Sequence, residues 1–199
     1  MKEIVSKLSP AATTMIRMDH THVLSNFHRY EMDASPEKKR AIVNVICLGL
    51  EVHAQLEEEI FYPALAEVTT DDEVLAKSKP EHDEMRRLID ELRSMEPSDD
   101  GYDAKVLELM RGVMHHVADE ETVLLPAAEL LLKDRLSELG AQMTKRRLEL
   151  AGPRIGEIEA NQARGTFPGV LSTVKDLEGG SWAGDYTLSS TADVPAETL

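Results

Sequence analysis

Two stretches of the chain combine a histidine with glutamates at a spacing that suits metal binding. Both follow the pattern His-x-x-x-Glu-Glu, and a proline comes six residues after the first glutamate. Residues four apart on a helix lie on the same face, one turn apart, so each stretch presents an imidazole and a carboxylate together. Such a pair is a good ligand set for a transition-metal ion. The stretches are His53–Glu58, before Pro63, and His116–Glu121, before Pro126.

Each pair lies within an apolar helical stripe. Residues of the stripe recur at steps of three and four, as on the buried face of a bundle helix. An uncompensated carboxylate is costly to bury at such a position, and the pattern favours a cation as the compensating charge. The stripes are Ile46, Leu50, His53, Glu57, Ile60 and Ala64, and Leu109, Val113, His116, Glu120, Val123 and Ala127.

Two further stripes carry one histidine each near their middle. The offset is 62 residues from His20 to His82 and 63 residues from His53 to His116. The chain therefore has the pattern of a duplicated helical hairpin, in which each copy supplies His and then His-x-x-x-Glu. These stripes are Thr13, Ile16, His20, Val23, Phe27 and Tyr30, and Leu75, Ser78, His82, Met85, Ile89 and Leu92.

Four helices that each bury one histidine at mid-height bring the imidazoles to one level of an up-and-down bundle. Four imidazoles and two carboxylates suit two transition-metal ions, with the carboxylates bridging and some coordination positions open. The chain contains no Glu-x-x-His, so a nitrogen-rich site is favoured over the carboxylate-rich site of ferritin-like bundles. The predicted ligands are His20, His53, Glu57, His82, His116 and Glu120.

Length and composition agree with a helical domain. The chain has 199 residues, of which only 4% are aromatic, and it is rich in helix-forming residues. We predict an all-α, up-and-down four-helix bundle with a fifth helix and an irregular tail. The predicted bundle domain is 1–152, with its four-helix core at about 10–132 and the fifth helix at about 134–150, and the Gly/Ser/Thr-rich tail is 153–199.

Prolines and capping residues set the predicted helix ends. Ser9-Pro10 and Ser35-Pro36 have the pattern of an N-cap followed by the first helical residue. Pro63 and Pro126 predict a kink or a loosened turn, and Pro80 predicts a short turn that ends at Ser78 before the main third helix. The predicted helices run from about Pro10 to Met32, Pro36 to Val68, Asp72 to Met95, Tyr102 to Leu132 and Asp134 to Leu150, the last ending at Ala151-Gly152-Pro153.

Charge and hydropathy limit the partners and the compartment. The net charge of −15 disfavours binding to nucleic acid or to an anionic membrane surface. The first ten residues lack the apolar core of a secretory signal, and no stretch approaches the roughly 20 apolar residues of a membrane span. A cytoplasmic protein is therefore expected. The single cysteine, Cys47, lies in an apolar run and is expected to be buried.

The order of the predicted ligands resembles the hemerythrin-like, or HHE cation-binding, family. The resemblance covers roughly residues 10–132. It implies an antiparallel four-helix bundle that holds two non-haem iron ions joined by an oxo or hydroxo bridge. The flanking sequences that are also similar to the family are Asp19-His20, Glu58-Glu59-Ile60-Phe61-Tyr62-Pro63, Glu81-His82-Asp83-Glu84 and Leu124-Leu125-Pro126.

One departure from the family bears on function. Oxygen-carrying hemerythrins have a second histidine four residues after the ligand of the third helix, and that position, counted from His82, is Arg86 here. A more open site favours turnover or sensing over reversible oxygen carriage. The resemblance implies binding of dioxygen, peroxide or nitric oxide in oxidative or nitrosative stress, with a possible peroxide- or nitric-oxide-consuming activity. The alternative is a non-catalytic metal or gas sensor, or an iron donor, that acts through a partner.

Several neighbouring residues have competing interpretations. His115 is the rival of His116 as a ligand, because it could pair with Glu120 at a spacing of five. His22 and His28 point away from His20 around the first helix and are expected at the surface. The glutamates that follow the ligand glutamates, Glu58 and Glu121, are expected to support the site or to face solvent. Tyr30 and Tyr62 could donate a hydrogen bond to a bound small molecule, but packing is the expected role of both, and Lys145–Arg147 is expected to be a solvated face.

The sequence leaves other properties open. Imidazole and carboxylate ligands would also accept manganese or zinc, although the resemblance favours iron. The small ligand or reaction, the oligomeric state and the role of the tail do not follow from the sequence.

Overall fold

The computed structural model describes residues 9–69 and 73–162 of the chain, and these residues form helices and no strand. Two long helices are continuous through a five-residue π-helical turn, which joins α2 to α3 at Glu57–Phe61 and α5 to α6 at Glu120–Leu124. A 3₁₀ turn, Gly152–Arg154, joins α7 to α8. The helices are α1 (Ala12–His28), α2 (Pro36–Leu56), α3 (Tyr62–Ala66), α4 (Glu73–Ser94), α5 (Tyr102–Asp119), α6 (Leu125–Leu131), α7 (Leu136–Ala151) and α8 (Ile155–Gln162).

Four of the helices close into a bundle. Helix α1 packs against α2 and α5, and α4 packs against the same two helices from the other side. Short connections between successive packed helices make neighbouring helices antiparallel. Helix α7 lies against α1 and α2, and α8 lies against α2. The predicted all-α bundle with a fifth helix is confirmed.

The helix ends follow the capping chemistry in one case and depart from it in another. Helix α2 begins as predicted, because the Ser35 hydroxyl accepts a hydrogen bond from the Lys38 backbone N–H at 3.3 Å and Pro36 is the first helical residue. Helix α1 instead begins at Ala12, without a side-chain cap, and ends at His28 rather than at Met32.

The prolines of the second and fourth bundle helices loosen the turn before them, as predicted. Each π-helical turn lies just N-terminal to Pro63 or Pro126. A π turn inserts one extra residue, which rotates the following helix relative to the regular pattern. Within each turn the predicted stripe therefore slips by one residue. Val123 is 42% exposed, whereas Leu124 and Phe61 are fully buried.

The prediction of a break at Pro80 was wrong. Helix α4 is continuous from Glu73 to Ser94 with Pro80 inside it. Pro80 lies on the exposed side of the helix, where water can satisfy the carbonyl that the missing N–H leaves free. Residues 70–72, with which the predicted helix begins, lie outside the described residues.

The apolar core consists of two clusters with the predicted ligands between them. His20 lies between Ile16 of one cluster and Val23 of the other. Cys47 is buried in the second cluster, and burial raises the pKa of its thiol to about 12. The largest buried members of the first cluster are Ile16, Leu56, Phe61, Leu65, Leu124 and Leu125, and those of the second are Ile42, Ile46, Ile89, Leu92, Tyr102 and Leu109.

The helical region that follows the bundle extends further than predicted, because an additional helix follows the fifth one. Helix α7 ends at Ala151, but the Gly152–Arg154 turn leads directly into α8. The predicted irregular tail starts at residue 153, so its first part, Ile155–Gln162, is helical. The remainder of the predicted tail, from residue 163, lies outside the described residues. No helix in the described part of the chain is long and apolar enough to cross a membrane.

A close approach and an ion pair fix α7 against α1. A Cβ atom added to Gly140 would lie 2.0 Å from the Pro10 carbonyl oxygen and 3.0 Å from the Ala12 nitrogen. Further along α7, Arg147 donates two hydrogen bonds to Asp19, one of them from Nη1 to Oδ1 at 2.7 Å. Asp19 is buried, so this ion pair is largely shielded from solvent.

We expect Gly140→Ala to lower the free energy of unfolding by about 1–3 kcal/mol, because the backbone from Pro10 to Ala12, which leads into α1, would have to shift to make room for the added methyl. Gly112→Ala is the matched control. Nothing lies within 4 Å of a Cβ at Gly112 in α5, so a gain of roughly 0.5–1 kcal/mol is expected there. Urea unfolding checks both values, and equal stability of the two variants would contradict the tight contact.

Replacing Arg147 with Met should cost roughly 3 kcal/mol or more, because the Asp19 carboxylate would lose its charge partner while remaining buried. Arg146→Met serves as the adjacent control. Arg146 pairs with the exposed Glu59, and a change within about 0.5 kcal/mol is expected. Chemical unfolding of the metal-free variants measures both. Similar losses in the two would mean that the ion pair with Asp19 adds little.

Candidate metal centre

The six predicted ligands converge at mid-height in the bundle. Their side chains come from four helices and from the two π-helical turns, and all six are buried. The two glutamate side chains have no solvent exposure. These residues are His20, His53, Glu57, His82, His116 and Glu120.

The donor atoms fall into two groups that share a carboxylate. Within each group the nitrogen and oxygen atoms lie within 4.8 Å of one another. Glu57 belongs to both, so its carboxylate lies where a bridge between two ions would lie. One group is His20, His53, Glu57 and Glu120, and the other is Glu57, His82 and His116.

Both glutamates also reach towards histidines of the opposite repeat. Glu57 Oε2 is 3.2 Å from His53 Nε2 in its own repeat and 3.4 Å from His82 Nε2 in the other. Glu120 Oε2 is 3.5 Å from His116 Nε2 and 3.1 Å from His20 Nε2. Each carboxylate can therefore serve ligands from both halves of the chain.

A ring of carboxylates outside the centre orients the imidazoles. His20 Nδ1 lies 2.8 Å from Glu121 Oε1, and His82 Nδ1 lies 2.9 Å from Glu58 Oε1. A carboxylate accepts a hydrogen bond from Nδ1–H, so in the neutral form of each ring the inward Nε2 atom is the one that carries the lone pair. This arrangement is typical of metal-binding histidines.

The other two histidines use acidic residues that immediately precede the first ligand of each repeat. His116 Nδ1 lies 2.8 Å from Glu81 Oε2. His53 Nδ1 faces Asp19 Oδ2 at 3.5 Å, a longer contact that leaves Nδ1 without a hydrogen-bond partner among the described residues, and Asp19 is also held by Arg147. The four outer carboxylates, Asp19, Glu58, Glu81 and Glu121, thus form two duplicated pairs. Glu58 and Glu121 support the site, which was one of their two predicted alternatives, whereas the roles of Asp19 and Glu81 were not predicted.

Three of the outer carboxylates are anchored in turn by arginine. Arg17 Nε donates to Glu121 at 3.0 Å, and Arg86 Nη2 donates to Glu58 at 2.7 Å. Arg147 holds Asp19 in the same way. Arg147 lies in the run that was expected to be a solvated face. That expectation was wrong for Arg147, whose side chain is mostly buried.

The tyrosine before Pro63 breaks the symmetry of the two repeats. The Tyr62 hydroxyl lies 2.7 Å from Glu120 Oε1 and 3.1 Å from Glu57 Oε2, so it can donate to either central carboxylate. The corresponding residue of the second repeat is Leu125. Tyr62 was expected to pack, and it does so while also contacting the centre. Tyr30 instead donates to Asp103, away from the centre.

The chemistry of the donor set fits metal ions. His82 Nε2 and His116 Nε2 lie 3.1 Å apart, and both rings donate through Nδ1 to outer carboxylates. Two lone pairs at this distance repel unless a proton or a cation lies between them. Nitrogen ligands each about 2.1 Å from one ion and at a near-right angle are also roughly 3 Å apart. Glu57 Oε1, in addition, is buried without a hydrogen-bond partner among the described residues.

Protons balance the buried charges in the metal-free protein. Burial and the neighbouring Glu120 charge raise the pKa of Glu57 well above its ordinary value. Burial opposes the ionisation of Glu120 and His20, but the hydrogen bond between them lowers the pKa of Glu120 to about 2 and raises that of His20 to about 9. Burial lowers the pKa of His53 to about 4. A bound cation would replace protons in this balance.

A small cavity of about 10 Å³ adjoins the centre, on the side of the second apolar cluster. This volume is close to the least that holds one water molecule. Three of the six predicted ligands reach its wall, which is otherwise mainly apolar. The wall residues are Asp19, His20, Val23, Leu50, His53, Val113, His116 and Val117.

The structure separates the rival histidines. His116 points into the centre, whereas His115 is 70% exposed on the outside of α5. His28 is exposed as expected, and His22 is half-buried against Asn26. Arg86, at the position where oxygen carriers have a further histidine, points to Glu58 rather than into the centre.

The chain is similar to known proteins in sequence and in fold. A DNA nickase from Nostoc sp. (strain PCC 7120) is 28% identical over 151 residues, which are 76% of this chain but only 42% of the length of that protein. The crystal structure of a hemerythrin HHE cation-binding domain-containing protein from Mycobacterium kansasii superposes with a TM-score of 0.63. The superposition covers 75% of this chain and 93% of that one, at 19% identity, and supports the fold.

The family model described as the hemerythrin HHE cation binding domain matches residues 11–128. This range contains all six predicted ligands and the outer carboxylates that orient them. The match covers more than half of the chain, and the buried His/Glu cluster within it is consistent with a metal site. The chain therefore belongs to the hemerythrin HHE cation-binding domain family.

Proposed function

We propose that this protein binds two iron ions at its four histidines and two glutamates and uses open coordination positions to bind dioxygen, peroxide or nitric oxide. The observation that supports it is the pairing of two donor groups through Glu57 beside a small cavity. His20 and His53 would hold one ion, and His82 and His116 the other. Glu57 and Glu120 would bridge them.

Two iron ions would supply the redox chemistry, and the protein would control which molecules reach them. The wall of the cavity is apolar apart from Asp19 and the three imidazoles, and its small volume favours a small ligand over a larger substrate. Tyr62 lies on the centre with a hydroxyl that can donate a hydrogen bond. It could hold a proton beside the carboxylates during the reaction.

The position of Arg86 supports turnover over oxygen carriage. Its guanidinium donates hydrogen bonds to Glu58 and Asp83 outside the centre. Position 86 therefore supplies no additional metal ligand. Fewer protein ligands leave more positions for exogenous molecules. We therefore propose a role in oxidative or nitrosative stress, with peroxide or nitric oxide as the molecule consumed.

A second candidate is a metal or gas sensor, or an iron donor, that acts through a partner protein. It is favoured by the ion pair between Arg147 and Asp19, because Asp19 faces the ligand His53. A change at the centre would thereby reach α7 on the outside of the bundle. This function requires binding of the small ligand without repeated turnover.

Nucleic acid is not part of the proposed function, although one relative is named a DNA nickase. The chain spans less than half of that relative. The net charge of −15 on the present chain opposes contact with a phosphate backbone.

Metal content and near-ultraviolet absorption of protein purified without added metal test the proposal. We expect about two irons per chain with oxo-to-iron charge-transfer bands in the wild type, since two ions require both bridging carboxylates. Glu120→Ala should retain fewer than two. Glu108→Ala, an exposed glutamate on the same helix, should load normally. Zinc in place of iron, or full loading of Glu120→Ala, would contradict the assignment.

An activity assay then separates an enzyme from a sensor. An enzyme consumes peroxide or nitric oxide over many turnovers, whereas a sensor reacts once.

Filling the cavity should separate ligand access from metal binding. Val113→Leu adds one carbon at the cavity wall, and we expect roughly tenfold slower reaction with peroxide or nitric oxide, equivalent to about 1.4 kcal/mol of barrier, while two metals remain bound. Val106→Leu controls for crowding, because Val106 is equally buried on the same helix but does not line the cavity. Stopped-flow rates and metal content provide the measurements. Unchanged rates in Val113→Leu would show that ligands reach the centre by another route.

A further inference from the structure

The four outer carboxylates differ in their charge partners. Asp19, Glu58 and Glu121 each pair with an arginine. Glu81 is the exception, because in the described part of the chain no lysine or arginine forms an ion pair with it. The carboxylate that orients His116 therefore has no fixed cation on its outer side.

The outer oxygen of Glu81 instead faces a second donor group. Its Oε2 is engaged by His116, and its Oε1 lies 4.0 Å from His115 Nε2. The same His115 nitrogen lies 3.9 Å from Asp119 Oδ2, one turn further along the helix. Asp119 likewise forms no ion pair with a lysine or arginine of residues 9–69 and 73–162. One imidazole and two carboxylates thus converge without a basic side chain between them.

The spacing and exposure of this group suit an ion rather than direct hydrogen bonds. Distances of 3.9 and 4.0 Å are too long for a hydrogen bond. Two donors each about 2.1 Å from one ion lie at most roughly 4.2 Å apart. All three donor atoms lie within 4.8 Å of one another, so small side-chain rotations would bring them onto one ion.

Solvent can reach the group without any change in the bundle. The exposed fractions of the side chains are 70% for His115, 29% for Asp119 and 23% for Glu81. His115 and Glu81 also line a groove of about 580 Å³ between α4 and α5. An ion in this group would keep water in its remaining coordination positions, unlike one in the buried centre.

We propose that Glu81, His115 and Asp119 form a second, outer site for a divalent transition-metal ion. One histidine and two carboxylates are a suitable ligand set for zinc, manganese or ferrous iron. Glu81 joins the two sites, since one of its oxygens orients His116 and the other binds the outer ion. The outer ion balances the negative charge of Glu81, as arginine does for the other three outer carboxylates. The proposal does not depend on which metal or small ligand occupies the buried centre.

Zinc binding to the full chain tests the outer site. The metal content of the buried centre is measured first, and Zn²⁺ is then titrated in competition with a chromogenic chelator. We expect one additional Zn²⁺ per chain, bound more weakly than the buried ions because fewer protein ligands hold it. His115→Ala and Asp119→Asn should each weaken this additional binding about tenfold or more and leave the metal content of the buried centre unchanged. His28→Ala, which removes an exposed histidine of α1, should bind the additional Zn²⁺ as the wild type does.

A Glu120→Ala background keeps the outer site testable if the buried centre fails to load. In that background, loss of weak Zn²⁺ binding on adding His115→Ala still supports the outer site, even if the proposed iron centre is wrong. Equal Zn²⁺ affinity with and without His115, in either background, would overturn the outer site. Absence of any additional Zn²⁺ in the wild type would overturn it as well.

Discussion

The burial of two glutamates between two apolar clusters is the constraint on which the rest of this structure depends. Glu57 and Glu120 have no access to water, and a bare carboxylate in that position would be strongly destabilising. The four imidazoles, the Tyr62 hydroxyl and the protons of the metal-free state all compensate this charge. The bundle therefore has a polar layer at mid-height that is stable only when its charges are matched, and a pair of cations matches them well.

Matching extends outward in alternating layers. Around the central carboxylates are the imidazoles, around the imidazoles are further carboxylates, and around three of those are arginines. The outermost layer includes Arg147, so α7 does more than cover the bundle. It completes the surroundings of His53 through Asp19.

Much of the bundle and its centre could be predicted from helical spacing, because His20 and its three counterparts each fall at the middle of an apolar stripe. Positions within the π-helical turns could not, since one inserted residue exchanges Val123 for Leu124 on the buried face. Arg147 was misjudged because its partner Asp19 is 128 residues away, and local pattern carries no information at that distance.

The sequence did carry a signal for Asp19 and Glu81, because they are acidic residues that precede His20 and His82 at a duplicated offset. Adjacent helical positions point in different directions, so their role became clear only from the packing of neighbouring helices. Pro80 shows the opposite error, in which a strong local signal is overridden by an exposed environment.

The exchange of contacts between the repeats has a consequence for how such a protein can arise. Glu58 of the first repeat orients His82 of the second, and Glu121 of the second orients His20 of the first. A single hairpin could not complete this arrangement alone, but two identical hairpins related by a two-fold axis could. Joining the hairpins in one polypeptide removes the requirement that they remain identical. Tyr62 opposite Leu125 is a difference of that kind: a symmetric ancestor would have had to place two hydroxyls on the centre or none, whereas the fused chain places one.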